Sequence, residues 1–446
     1  MTTPICDFVK NYIQNNPTRL HMPGHKGEVF LGMEKYDITE IDGADSLYEA
    51  SGIIEESERN ASLLFGCDTY YSTEGSSQCI KAMVYLAGLY AQKINRKRLI
   101  YAARNVHKSF ISAVSLSDFE VKWLYSNSDD SYLSCRINAD HLDNELGNAD
   151  TLPVAVYITS PDYLGTVQDI KAISDVCKKY GVLLLCDNAH GAYLKFLTPS
   201  AHPVDLGADM CCDSAHKTLP ALTGAAYLHM GEEISNHLSS YAKNALSLFG
   251  STSPSYLILQ SLDHLNKYIS EGYREKLSLF AKRITELKTR LSDMGYTIFG
   301  EEILKLTIKT KSYGCSGEEI AEKLYEKKII CEFYDNDFIV LMFTPESPES
   351  SLERVFEVLF SIRRKDRIVD KKIYNTNHIQ KISIRDAVMG IYEEISVENA
   401  EGRILSQLTV ACPPAVLVVS PGEIITKEDI EIFKAIGTKT LCVLKG

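Results

Sequence analysis

Long apolar runs, a basic surface and paired metal-binding cysteines are all lacking in this 446-residue sequence. No apolar run reaches the length of a membrane span, and a net charge of −12 argues against a nucleic-acid partner. The twelve cysteines form no CxxC pair and show no histidine spacing typical of zinc, so we expect reduced thiols and no metal. Since no signal-peptide pattern is present, the sequence predicts a cytoplasmic protein.

Composition and length indicate a globular enzyme of two or three domains, with 45% apolar and 24% charged residues. Strand-like runs such as 154–160 and 182–186 alternate with helical segments, a pattern typical of a mainly parallel sheet with crossover helices. We expect residues 121–150 to be loop, and one long helix near 267–295 to begin a smaller α/β domain with an antiparallel sheet. The tail near 426–436 should form a helix with a Thr cap.

The stretch Ser214-Ala215-His216-Lys217 follows an apolar, strand-like run and is the strongest chemical signal in the chain. A lysine amine forms an imine with a carbonyl cofactor, especially where burial and neighbouring cations lower its pKa. The hydroxyl of Ser214 and the imidazole of His216 are suited to contact a phosphate and the cofactor. Taken alone, Lys217 also fits a lysine that flanks a helix and points into water.

A strand-like run at 69–73 leads through Gly75-Ser76-Ser77 into a segment with helical periodicity. The free backbone N–H groups and the dipole at the start of a helix face one point and favour an anion, and the serine hydroxyls add donors. The pattern is neither a Walker loop nor a dinucleotide fingerprint. A plain serine N-cap is the alternative interpretation.

Asp187 ends a buried strand, 30 residues before Lys217, where ligands bind in open α/β sheets. A carboxylate beside a pyridine nitrogen would keep that nitrogen protonated and the ring electron-accepting. Ala189 is small enough to lie under such a ring, His190 could orient Asp187, and His107 could lie flat over the ring. Taken alone, Asp187 also fits an N-cap and His107 a structural histidine.

In this order and spacing, the motifs resemble those of pyridoxal-phosphate enzymes with the aspartate-aminotransferase fold (fold type I). More narrowly, the chain resembles the bacterial ornithine/lysine/arginine decarboxylase family. Further motifs carry this resemblance along nearly the whole chain: Pro23-Gly24-His25-Lys26, Asp37-x-Thr39-Glu40, Arg104-Asn105-x-His107-Lys108-Ser109, Thr252-Ser253-Pro254-Ser255-Tyr256, Pro413-Pro414 and Pro421-Gly422-Glu423.

The resemblance implies an N-terminal arm over 1–40, a large cofactor domain over 41–265, a small α+β domain over 266–370 and a C-terminal α/β domain over 371–446. It implies that Lys217 holds pyridoxal 5'-phosphate as a Schiff base, Asp187 pairs with the pyridine nitrogen and His107 stacks on the ring. It also implies that the phosphate is held by the Gly75 turn and by polar side chains, namely Ser76, Ser77, Ser214 and His216. Thr252 and Ser253 would reach the cofactor of a second subunit, in a homodimer that shares its active sites or in a higher oligomer.

Four positions depart from the family pattern. Gly224 stands where the family usually has Gln, Pro220 where it has a small residue, and Asn188 where it has an acid. The tail reads Pro413-Pro414-Ala415 in place of Pro-Pro-Gly. These departures leave the cofactor residues intact and bear on the substrate and the rate.

The expected reaction is decarboxylation of arginine, lysine or ornithine to the amine in polyamine metabolism, with Lys217 or His216 returning a proton to Cα. The buried distal cation of such a substrate needs a carboxylate partner, for which Glu332 and Asp45 are candidates. An aminotransferase, or another pyridoxal-phosphate enzyme on this fold, is the first alternative. A non-catalytic regulator of polyamine metabolism is the second.

Overall fold

The computed structural model describes residues 1–126, 131–369, 378–408 and 415–445. The chain divides into two compact units. The first comprises Met1–Lys97, Thr151–Tyr157 and Ile170–Glu275, and the second Arg98–Asp150, Ile158–Asp169 and Lys276–Gly446. The four-part division expected from the sequence stays a prediction. Among the described residues, none of the helices combines the length and apolar character needed to cross a bilayer.

The large sheet contains seven strands: β1 (Asp68–Ser72), β2 (Leu99–Ala103), β3 (Glu120–Leu124), β4 (Ala155–Thr159), β5 (Leu183–Asp187), β6 (Met210–Asp213) and β7 (Ala226–Met230). Their order is β1-β7-β6-β5-β4-β2-β3. The pairs β5–β6 and β2–β3 are parallel, while β7 runs antiparallel to both β1 and β6. Strands β5 and β6 are fully buried and almost wholly apolar, as strands covered on both faces require. The predicted α/β class with a mainly parallel sheet is confirmed.

The described residues also form the following α-helices. They are α1 (Pro4–Gln14), α2 (Ile53–Phe65), α3 (Ser76–Lys93), α4 (Lys108–Ser117), α5 (Ala139–Gly147), α6 (Ile170–Lys179), α7 (Ala215–Thr218), α8 (Glu232–Ser247), α9 (Tyr256–Ser270), α10 (Tyr273–Asp293), α11 (Gly317–Glu326), α12 (Ser351–Ser361), α13 (Ile384–Met389) and α14 (Lys427–Ala435). The predicted Thr cap is present, because Thr426 and Asp429 form a capping box at the start of α14.

The second unit also contains two smaller sheets. Four strands, β8 (Thr297–Phe299), β9 (Lys305–Lys309), β10 (Phe333–Tyr334) and β11 (Phe338–Met342), form an antiparallel sheet in the order β10-β11-β9-β8. Two more, β12 (Tyr392–Ser396) and β13 (Thr440–Leu444), pair antiparallel. The predicted small antiparallel sheet is therefore confirmed.

Two sequence predictions about secondary structure are wrong. The single helix expected near 267–295 is two helices, α9 and α10, because Gly272 adopts a left-handed backbone with φ 88° between them. Residues 121–150 contain β3 and α5 as well as loop, apart from 127–130, which lie outside the described residues. The sequence does not reveal β3 as a buried apolar strand because Glu120 and Lys122 on it are charged.

Candidate active site

Asp187 lies at the end of β5 with only 2% of its surface exposed. Its Oδ1 accepts a hydrogen bond from the Ala189 backbone N–H at 3.1 Å, and the Tyr157 hydroxyl lies 3.4 Å from Oδ2. Burial raises the pKa of Asp187, and the Lys217 ammonium acts in the opposite direction. The predicted carboxylate and the predicted amine therefore interact within the first unit.

Lys217 is placed by a short turn of helix, α7, that follows directly on β6. Its Nζ lies 3.1 Å from Nε2 of His190, which itself is 7% exposed. His216 on the same turn uses Nδ1 to contact the Ala225 carbonyl at 3.0 Å, and burial lowers its pKa. The neutral imidazole of His216 is thus fixed next to the lysine in the chain.

The anion seat predicted at the start of α3 has its expected geometry. Gly75 adopts φ 71°, its N–H donates to the Gly224 carbonyl at 2.8 Å, and α3 begins at Ser76. The Ser214 hydroxyl donates to Ser76 Oγ at 2.9 Å, although the two residues are 138 positions apart. A Cβ added at Gly75 would meet nothing within 4 Å, so the turn borders open space. Hydroxyls from two distant motifs therefore meet at one helix N-terminus.

His107 belongs to the second unit, where it is the N-cap of α4. Its Nδ1 accepts from the Ser109 backbone N–H at 3.2 Å, and its backbone forms an antiparallel bridge with Val416. Thr252 and Ser253 are both exposed on the loop before α9. The stacking role of His107 and the reach of Thr252 and Ser253 into a second subunit stay predictions.

The two carboxylates suggested for the distal cation differ in how many hydrogen bonds they already accept. Asp45 accepts hydrogen bonds from the backbone N–H groups that open α2, including those of Gly52 and Ile54, which argues against a substrate role. Glu332 accepts from the Tyr163 hydroxyl at 2.8 Å and lines a cavity of about 390 Å³ in the second unit. Of the two, Glu332 remains the candidate.

The departures from the family pattern have local structural reasons. Gly224 has φ 99°, and a Cβ there would lie 2.9 Å from the Thr73 carbonyl oxygen, so a larger residue would need a different backbone path. Asn188 donates from Nδ2 to Asp213 Oδ1 at 2.6 Å. Ala415 adopts φ 59° and accepts from the Lys108 N–H at 2.9 Å. Pro413 and Pro414 lie outside the described residues.

The sequence analysis missed Tyr157 and Asp213, which contact Asp187 and Asn188 respectively. Tyr157 is hidden in an unbroken apolar strand, and its partner Asp187 is 30 positions away. Asp213 immediately precedes the Ser214 motif, but its contacts come from 11, 16 and 25 positions away. Position in the strand was a signal for Asp213, because Asp187 occupies the corresponding end of β5.

The donor set in the first unit fits pyridoxal phosphate. Asp187 offers a buried carboxylate to a ring nitrogen, Lys217 offers an amine to an aldehyde, and the start of α3 offers N–H groups and hydroxyls to a phosphate. Fold and donor set together define the class, a pyridoxal-phosphate-dependent enzyme of fold type I.

The chain belongs to the Orn/Lys/Arg decarboxylase family. The family's major domain matches residues 3–310 and its C-terminal domain matches residues 369–439. The protein is therefore a pyridoxal-phosphate-dependent amino-acid decarboxylase. Membership favours the decarboxylase over the aminotransferase among the interpretations that the sequence leaves open.

Individual relatives are similar to this chain over almost its whole length. An arginine decarboxylase of Bacillus subtilis is 29% identical over 480 aligned positions, covering 97% of this chain and 93% of the relative. Among solved structures, the Francisella novicida lysine decarboxylase LdcF has a TM-score of 0.81 at 17% identity, covering 99% of this chain and 81% of that one. The constitutive lysine decarboxylase of E. coli has a TM-score of 0.77 at 18% identity, covering 100% and 82%. These structures share the fold.

Proposed function

We propose that the protein removes the α-carboxylate of a basic L-amino acid, namely arginine, lysine or ornithine, and releases CO2 and the amine for polyamine metabolism. The observation that carries this proposal is a buried carboxylate, Asp187, at the end of β5 and a lysine amine, Lys217, held against His190, in a member of the Orn/Lys/Arg decarboxylase family. Arginine is the first substrate to test, because the curated relatives include arginine decarboxylases at 26–29% identity.

The bound cofactor supplies an electron sink for the electron pair left when the bond between Cα and the carboxylate breaks. Asp187 would keep a proton on the ring nitrogen, and a buried carboxylate is suited to this. The small side chain of Ala189 would leave room for the ring. Ser76, Ser77, Ser214 and the N–H groups of α3 would bind the phosphate.

Lys217 would hold the cofactor through its amine. The Lys217 amine lies 3.1 Å from His190 Nε2, a contact that directs it. Lys217 would be the group that returns a proton to Cα, and His216 would do so only in its protonated form, which burial disfavours by lowering its pKa.

A homodimer with shared sites is the proposed working assembly. Five apolar residues of the N-terminal arm are at least two-thirds exposed in the single chain: Leu20, Met22, Val29, Phe30 and Leu31. A second subunit would cover such an apolar stretch. A cytoplasmic location also stays a proposal, supported by free cysteines throughout the described residues.

The experiment measures CO2 release from carboxyl-labelled arginine, lysine and ornithine by the purified enzyme with added cofactor, together with the amine product. We expect release from at least one of the three. Borohydride should fix the cofactor on Lys217, and Lys217→Ala should abolish both fixation and CO2 release. Lys171→Ala, which alters an exposed lysine of α6, is the matched control and should retain both. Transamination without CO2 release would contradict the proposal.

A further inference from the structure

Four side chains of metal-binding type meet in the interior of the first unit, and none of them is among the candidate cofactor residues. They are His202, Cys211, Asp213 and His229, and each is 0% exposed. Cys211 and Asp213 are two positions apart on β6 and so share a face, and His229 lies opposite Cys211 in the register of β7. The topology therefore brings a thiol, a carboxylate and two imidazoles to one point.

Three of the groups, His202, Cys211 and Asp213, offer ligand atoms that all lie within 4.8 Å of one another, and His229 contacts the same Asp213 oxygen as His202. Nε2 of His202 and Nε2 of His229 lie 3.1 and 3.2 Å from the same Asp213 oxygen, Oδ2. Cys211 Sγ lies 3.8 Å from His202 Nε2. With metal–nitrogen and metal–oxygen bonds of about 2.0–2.1 Å and a metal–sulfur bond of about 2.3 Å, tetrahedral ligand atoms are roughly 3.3–3.7 Å apart.

His229 turns its Nε2 towards the cluster. Its Nδ1 lies 2.9 Å from Thr69 Oγ1, and the Thr69 hydroxyl also donates to the Cys67 carbonyl at 3.2 Å. The buried Nε2 has no hydrogen-bond partner, although Asp213 Oδ2 is 3.2 Å away. In the tautomer with its proton on Nδ1, the ring would offer the Nε2 lone pair to a cation that Asp213 Oδ2 also binds.

The surroundings resemble the outer shell of a metal site. Thr69 orients His229 through the nitrogen that faces away from Asp213, and Asn188 donates to the second Asp213 oxygen at 2.6 Å. The Phe65 ring centroid lies 4.4 Å from that of His229 and 5.7 Å from that of His202, which excludes water. A divalent cation would balance one carboxylate and one thiolate, so the buried group would be neutral.

We propose that His202, Cys211, Asp213 and His229 bind one divalent transition-metal cation of the zinc class. Imidazole, thiolate and carboxylate groups are all zinc ligands, and His229 against the same carboxylate oxygen supplies the fourth ligand of the proposed structural site. The cation would tie β6 to β7 directly before Ser214 and Lys217. This departs from the absence of metal expected from the sequence, because the ligands are 9, 2 and 16 positions apart and match no common zinc spacing.

The test is the metal content of the intact enzyme with its cofactor, expressed in zinc-supplemented medium, freed of loose metal by gel filtration and analysed by mass spectrometry. We expect about one zinc per chain in the wild type and less than a tenth of that in Asp213→Asn and His229→Gln. Cys177→Ala, which removes a buried cysteine of α6 outside the cluster, should keep the full content.

A second measurement uses cobalt in place of zinc, because four-coordinate Co²⁺ with a thiolate ligand gives intense visible d–d absorption. The wild type should show this absorption and Cys211→Ser should lose most of it. A wild type that retains less than a tenth of an equivalent of zinc after incubation with the metal overturns the proposal, even if the variants do not fold. Full zinc content in a folded Asp213→Asn also overturns it. Neither readout depends on decarboxylase activity, so the metal site is tested independently of the proposed function.

Discussion

Two aspartates end neighbouring strands of the same sheet, Asp187 on β5 and Asp213 on β6, and both are buried. Asp213 is densely contacted, by the Asn188 amide at 2.6 Å and by two imidazoles. Asp187 has one backbone donor at 3.1 Å, a hydroxyl at 3.4 Å and the Cys212 thiol at 3.7 Å, and it interacts with the charge of Lys217. The same residue type at the same place in a strand thus has two different surroundings.

The contrast extends to the pKa of each carboxyl group. Burial raises the pKa of Asp187, and the partial effect of Lys217 does not reverse this. Burial also acts to raise the pKa of Asp213, but the two imidazoles outweigh it and the pKa is lowered. A carboxylate with few hydrogen-bond donors can pair with an external cation such as a protonated ring nitrogen. A carboxylate that is already hydrogen-bonded on both oxygens stabilises the fold instead.

The largest expected effect is on catalysis in Asp187→Asn. Without the carboxylate the ring nitrogen loses its proton and the electron sink weakens, so we expect kcat to fall about 10²- to 10⁴-fold. Steady-state CO2 release measures this, and cofactor absorbance shows whether binding survives. Asp175→Asn, on the exposed face of α6, is the control. A fall of less than fivefold would remove Asp187 from the reaction.

Asp213→Asn should instead act mainly on stability. Because it leaves two buried imidazoles facing an amide, we expect unfolding free energy to fall by about 3–5 kcal/mol. Denaturant unfolding of the purified variant measures this, with Asp175→Asn expected within about 0.5 kcal/mol of wild type. If Asp213→Asn kept its stability while losing activity, the two aspartates would not differ as the structure indicates.

Asn188→Asp should have a smaller effect, and it tests the contact that separates the two carboxylates. The change replaces a donor with a carboxylate next to Asp213 Oδ1, so we expect a loss of about 1–3 kcal/mol in unfolding free energy. Asn188→Ala only removes the donor and should cost less. If Asn188→Asp were as stable as the wild type, the Asn188 amide would not be what stabilises Asp213.

The sequence predicts where candidate groups lie when each stands at a strand end or helix start with a local pattern. Lys217, Asp187 and the Gly75-Ser76 turn lie at such places, and Ser214 contacts Ser76. Their roles in the reaction stay predictions. The sequence does not predict which donors surround a given carboxylate. Thr69, His202 and His229 reach the Asp213 cluster from separate strands and loops, and such pairing depends on tertiary packing.

The pH dependence of stability separates the aspartates further. Since the pKa of Asp187 is raised in the folded chain, the folded state holds this proton more tightly than the unfolded state does. Its stabilising contribution is present below the ordinary aspartate pKa of about 3.9 and is lost as the pH rises through the folded value. In the cofactor-free enzyme, the unfolding free energy of Asp187→Asn should therefore rise relative to that of the wild type between about pH 4 and about pH 7. Denaturant unfolding at both values measures it, and the opposite trend would contradict the raised pKa.

Tyr157→Phe should give the smallest effect, because it removes only the long hydroxyl contact at 3.4 Å from Asp187 Oδ2. Losing this donor makes the charged carboxylate slightly less favourable, so the pKa of Asp187 should rise further and kcat should fall only about two- to fivefold. The acid limb of the kcat profile should move to higher pH, a change that a purely structural role of Tyr157 would not produce. Tyr227→Phe, which alters another buried tyrosine of the first unit, is the matched control and should leave the limb in place. An unchanged limb in Tyr157→Phe would mean that the Ala189 N–H, the Cys212 thiol and Lys217 set the pKa of the carboxyl group without Tyr157, which would make its contrast with Asp213 sharper still.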